Sequence, residues 1–174
     1  MKGFDPGKAI LVMPPEITSK RRSFERGGTA MYVRDVLKAK GRRVISIGPE
    51  ASVKQALARF VEHNIGSLPV VEAAGQVIGI FSERDVLFGD HRDPERFHQR
   101  LIREVMTPDP IICSPMDTLA VAMGKMARHH VGQLPVVDGG ELVGLVSIGD
   151  LVKSLYEQVE AENRHLMDYL HGRS

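Results

Sequence analysis

The sequence has a single cysteine, no surplus of either charge and no long apolar run, and each absence closes off a class of protein. Cys113 cannot form an internal disulfide; set in the apolar run PIICS, it reads as a buried, inert thiol in a reducing compartment. Twenty-three basic residues against 22 acidic ones leave a net charge of +1. That field is too weak to draw the whole molecule to nucleic acid or to an anionic membrane surface. No apolar run approaches the ~20 residues that span a bilayer. The opening MKGFDPGKAILVMPPEI has too short an apolar core, and three prolines, for a secretory signal. A cytoplasmic location is expected. Catalytic patterns are missing too: there is no nucleophile elbow, no Walker loop, no zinc-type Cys/His spacing and no metalloprotease helix. Adjacent His129 and His130 point to different helix faces, which suits no metal. The expectation is a non-enzyme with no catalytic cofactor and no metal site.

What is present is a repeat. HNIGSLPVV (His63 to Val71) aligns with HHVGQLPVV (His129 to Val137), placing Pro69 over Pro135. Further on, GIFSERDVL aligns with GLVSIGDLV, so Gly79 falls on Gly144, Ser82 on Ser147 and Asp85 on Asp150. Upstream, VISIGPEASVKQAL pairs with PIICSPMDTLAVAM.

Each copy reads as strand, helix, strand, turn, strand, helix. Val44 to Ile47 and Ile111 to Cys113 are short apolar strands, ended by Gly48-Pro49 and Ser114-Pro115. Val53, Ala56, Leu57, Phe60 and Val61, and then Leu119, Ala122, Met123 and Met126, recur at helical spacing. Ser52 with Gln55 forms a capping pair. LPVV is a strand, a glycine-containing turn follows, and the hairpin closes with VIGIFS or LVGLVS. Strand glycines at 79 and 144 predict that something approaches the backbone closely. Flanking helices are expected over Thr29 to Lys40, over Pro94 to Glu104, and from about Ile148 to Leu170. The last is longer than so small a repeat can cover, so its outer half is expected to pack on a second chain or on the N-terminal segment. Ser19 to Gly28, SKRRSFERGG, reads as a solvated connector rather than a nucleic-acid arm.

These motifs together resemble a tandem pair of CBS domains, the Bateman module, and the likeness covers roughly Tyr32 to Gln158. The chain is similar to small stand-alone bacterial CBS proteins with a long C-terminal helix. The resemblance implies an α/β (α+β) fold of two pseudo-twofold repeats, each a small mixed sheet with helices on one face. The division expected is an N-terminal segment (1–28), repeat one (29–92), repeat two (93–158) and a helical extension (159–174). The resemblance also implies a cleft between the sheets that takes AMP, ADP, ATP, NAD(H) or S-adenosylmethionine, and a homodimer that signals to an unidentified protein partner.

The repeated Ser-x-x-Asp has a physical reading of its own. A strand entering a helix offers unpaired N–H groups and the positive end of the helix dipole, which attract an anion. Asp85 or Asp150 would accept two hydrogen bonds from a ribose diol, and Ser82 or Ser147 would bond the phosphate or sugar. Adenine would lie against the backbone beside Gly66, Ser67, Leu68 and Pro69, or beside Gly132, Gln133, Leu134 and Pro135. Small Gly66 and Gly132 leave room, and Leu68 and Leu134 supply an apolar wall. Ser46, on the first strand, matches the position at which the resemblance implies a ligand-contacting hydroxyl, and Ser114, which closes the counterpart strand, is added to the candidate contacts. Arg84 brings a cation to the phosphate position in one copy, where the other has Gly149, which hints at a close approach; the two sites should be unequal. The resemblance implies His or Arg just before the LP proline in members that clamp several phosphates; here Gly66-Ser67 and Gly132-Gln133 stand there, so adenosine recognition is expected rather than such a clamp. The competing reading also stands: the same Ser-x-x-Asp is close to a capping box that satisfies only its own backbone, in a ligand-free dimerisation scaffold.

Overall fold

The computed structural model describes residues 10–12, 30–41 and 43–171. The basic stretch from Ser19 to Gly28 and most of the N-terminal segment lie outside them. Strand β1 (Ile10–Val12) comes first and helix α1 (Val33–Lys40) second. The first repeat comprises β2 (Val44–Ser46), α2 (Val53–His63), β3 (Ser67–Val71), β4 (Val77–Ser82) and α3 (Glu83–Arg92). A linking segment carries α4 (Ile102–Val105) and β5 (Thr107–Pro108). The second repeat comprises α5 (Leu119–His129), β6 (Gln133–Asp138), β7 (Glu141–Ser147) and α6 (Ile148–His171).

Local chemistry sets most of these boundaries. The Ser52 hydroxyl accepts from the Gln55 N–H at 3.3 Å while the Gln55 side chain accepts from the Ser52 N–H at 2.8 Å, closing the start of α2 as expected. Asn64 and His130 end α2 and α5 in the left-handed conformation, with φ of 51° and 53°. The β6–β7 turn is the tighter of the two hairpin turns because Gly139 and Gly140 both adopt positive φ. β3 pairs antiparallel with β4, and β6 with β7. A parallel rung adds Ile47 to Val70 in one repeat and Cys113 to Val136 in the other, so each sheet is mixed. Ile111 to Cys113 is therefore less regular than its pattern implies: only Cys113 makes the rung, its N–H donating to Pro135 and its carbonyl accepting from Val137.

The expected helix over Pro94 to Glu104 is broken. Phe97–Gln99 is a single 3-10 turn and α4 has four residues. Between them Leu101 is bridged to Ser52, and the Arg100 carbonyl accepts from Val53 at 2.9 Å. Those tertiary bonds require extended backbone where helical spacing alone would continue the helix.

The cores exchange elements. Val33, Val36 and Leu37 of α1, which precedes the first repeat, are buried with Leu119, Leu134, Val146 and Leu151 of the second. Conversely Phe97 and Ile102 of the linking segment are buried with Val53, Leu68 and Phe81 of the first. Each side chain so buried contributes about 1.5–3 kcal/mol. Val44, Val71 and Leu142 form a small third cluster joining the repeats.

This exchange accounts for the strand glycines. A Cβ at Gly144 would lie 2.5 Å from a Leu37 methyl, and one at Gly79 would meet the Met106 side chain and sit 3.1 Å from the Thr107 carbonyl oxygen. The close approach expected there is made by the protein's own α1 and linking segment. α6 buries Leu151 and is exposed at Tyr156, Val159, Leu166 and Met167. No helix among the described residues is long and apolar enough to cross a membrane.

Candidate functional site

The hydroxyl and carboxylate recur because β4 runs directly into α3, and β7 directly into α6. At the first junction the Ser82 N–H and hydroxyl donate to Asp85 Oδ2 at 2.8 and 2.7 Å. At the second, Ser147 makes the same two bonds to Asp150 Oδ2 at 2.8 and 2.7 Å. Both junctions are thus capped by their own side chains.

Two cavities lie where the repeats meet, and they are pseudo-twofold counterparts. The larger encloses about 590 Å³. Its floor is the Ser82–Asp85 corner with Gly66, Ser67 and Ile80, and it is closed by Thr107, Asp109, Pro110 and Ile111 and by His129 to Gln133. The smaller encloses about 290 Å³ between Lys40, Arg43 to Ile45, Asn64 to Ser67, Gln133, Leu145 and Ser147. Gly66, Ser67 and Gln133 line both and form the partition.

Of the residues singled out from the sequence, Gly66, Ser67, Ser82, Arg84, Asp85, Gly132 and Gln133 come together around the larger cavity. Ser147 lines the smaller with Gly66, Ser67 and Gln133. The rest line neither. Leu68 and Leu134 are fully buried in the two cores. Successive strand residues face opposite ways; with Ser67 and Gln133 facing the cavities, the leucines must face inward. The apolar wall comes instead from Ile80, Pro110, Ile111 and Val131. Pro69 and Pro135 are buried within their strands, each carbonyl accepting the parallel rung at 3.0 Å. Ser46 is wholly buried, its carbonyl accepting from the Arg59 guanidinium at 2.6 Å. Ser114 shapes a turn: its N–H donates to Asp117 at 3.1 Å and its hydroxyl accepts from Met116 at 3.2 Å. At Gly149 the nearest side-chain atom of the described chain to an added Cβ would be Ser147 Oγ at 3.7 Å, so the chain itself leaves this position open.

The two carboxylates differ in their surroundings. Asp85 accepts one further bond, from the Thr107 hydroxyl at 3.3 Å, and among the described residues no cation pairs with it. Asp150 takes the Lys40 ammonium at 2.6 Å. Partial burial pushes the Asp150 carboxyl upward, but the Lys40 ammonium and the Ser147 bonds outweigh it and hold the group below its ordinary value.

Thr107, Asp109, Lys40 and Arg43 lie outside the Ser-x-x-Asp and LP motifs and come to the cavities through non-local pairing. One signal points to them: the repeat places 109–111 opposite 43–45, so finding one set at a cavity implies the other.

Comparison with known proteins identifies the fold. The family model described as CBS domain matches residues 33–91 and 102–157. The inosine-5'-monophosphate dehydrogenase of Korarchaeum cryptofilum (strain OPF8) is 39% identical over 111 residues, 63% of this chain but only 22% of the dehydrogenase. The crystal structure of the CBS-domain containing protein ATU1752 from Agrobacterium tumefaciens matches with TM-score 0.69 and 34% identity, over 75% of this chain and 98% of that one. The structure of CBSX2 in complex with AMP matches with TM-score 0.64 and 26% identity, over 73% of this chain and 97% of that one.

Proposed function

The chain belongs to the CBS domain family, and we propose that it is a regulatory sensor that holds an adenosyl ligand in the larger cavity and relays occupancy to a partner. The observation that carries this is Asp85: it lines a cavity of nucleoside size, its helix cap is formed, and no cation among the described residues neutralises it. A ribose diol supplies the two donors such a carboxylate accepts. The α3 N-terminus and Arg84 suit a single phosphate beside the sugar. The structure of CBSX2 with AMP supports this ligand class. Regulation rather than catalysis follows from such a site: binding that favours one arrangement of the repeats shifts the surface a partner reads. Exposed apolar side chains on α2, α3 and α6, among them Val61, Leu87, Phe88 and Val152, support a homodimer, which light scattering would measure.

A thermal-shift series with adenosine, AMP, ADP, ATP, NAD(H) and S-adenosylmethionine tests the reading. A ligand at 100 times its Kd adds about 2.7 kcal/mol of stability, and Asp85→Asn should remove it. A full shift in Asp85→Asn would exclude this corner. No shift with any compound would favour the scaffold reading, for which the two completed capping boxes already speak.

A further inference from the structure

We infer that Lys40 is a built-in occupant of the second Ser-x-x-Asp corner, so that each chain takes one adenosyl ligand although the repeat supplies two corners. This rests on the assignment of Asp85 as the ribose acceptor.

The two junctions have the same backbone and the same internal cap; they differ in what reaches the carboxylate from outside. In the first repeat β5 pairs with β4, setting Thr107 opposite Ile80, and the Thr107 hydroxyl touches Asp85. In the second repeat Leu145 holds the place of Ile80, and the residue that reaches it is Lys40, at the end of α1. Its ammonium donates to the Leu145 carbonyl at 3.3 Å and to Asp150 Oδ2 at 2.6 Å. Thr107 and Lys40 thus fill the same place, one with a short neutral hydroxyl and the other with a long cation.

The consequence is visible in the cavities. Asp85 lines the larger one, whereas Asp150 lines neither, and Lys40 stands at the wall of the smaller one instead. That cavity has about half the volume of its counterpart, 290 against 590 Å³. Lys40 already supplies the charge-assisted donor that a diol would bring. An entering ribose must displace it and then bond a carboxylate whose compensating charge has been pushed aside. The helix that carries Lys40 is itself anchored, since α1 is packed into the second repeat's core through Val33, Val36 and Leu37.

Titration calorimetry of the full chain with AMP reads the stoichiometry. Wild type should bind one equivalent per chain, and so should Lys40→Arg, which keeps a cation at the corner. Lys40→Met keeps the aliphatic stem and should bind two. Adding Asp150→Asn to Lys40→Met should restore one, and Asp85→Asn in the Lys40→Met background should leave one. Two equivalents in wild type, or one in a Lys40→Met variant with unchanged circular dichroism, would overturn the inference and leave the Asp85 assignment standing. No heat from wild type and Lys40→Met alike would overturn both.

Discussion

Ser67 and Gln133, 66 residues apart and aligned by the repeat, meet side chain to side chain, the Ser67 hydroxyl donating to the Gln133 amide oxygen. Each is the other's pseudo-twofold counterpart, so the contact marks the local axis, and both residues stand in the partition between the cavities. Ser67→Ala leaves a half-buried amide oxygen without this donor. A loss of about 1 kcal/mol is expected, or roughly 2–4 °C in Tm for a chain of this size. Urea denaturation of the two proteins at neutral pH measures it.

Gly144→Ala should cost more than the helix and strand preferences of the two residues suggest. The added methyl would lie 2.5 Å from Leu37, itself buried against the second repeat. Overpacking of this kind costs about 1–3 kcal/mol. Leu37→Val in the same chain should return part of the loss, and a double-mutant cycle gives the coupling. Strict additivity would mean that α1 does not rest on that glycine.

Asp150 should confer acid-sensitive stability. Its folded-state carboxyl is held below the ordinary value of 3.8, so between the two values the unfolded chain binds the extra proton and stability rises with pH. The contribution is complete above the ordinary value and disappears as pH falls through the folded one. The stability gap between wild type and Asp150→Asn should therefore be widest above the ordinary carboxylate value and narrow as pH falls below it. A gap that widened in acid would contradict the assignment.

Cys113 should be silent in the folded protein. Burial first, and then nearby Asp117, push its thiol up to about 12. At pH 8 roughly one thiol in ten thousand would be ionised, and only the thiolate reacts. Alkylation by iodoacetamide should follow the urea unfolding curve; rapid labelling without denaturant would show that the second core opens locally.

The repeats are legible in the sequence because their determinants are local: the Ser52–Gln55 box, the Gly139-Gly140 turn and the short apolar run LPVV each act within a few residues. The break at Arg100–Leu101 is not, since it follows from bonds to Ser52 and Val53 some fifty residues earlier. The corner residues Ser82, Asp85, Ser147 and Asp150 are legible for the same local reason. What separates them is not: Thr107 and Lys40 arrive from outside either hairpin, and no short motif announces a lysine that crosses to a carboxylate 110 positions on. Leu68 and Leu134 show a third limit, because the motif they share does not tell which strand face looks at the cleft until Ser67 and Gln133 are seen to meet.

The trading of α1 and the linking segment between the cores bears on how the gene can be cut. A fragment starting after Lys40 would strip the second half of its lid, and one stopping at Arg92 would uncover Phe81 and Leu68 in the first. Neither half is a portable cassette. The two are fastened like clasped hands, and any transplant into another host protein must carry the whole of 30–155.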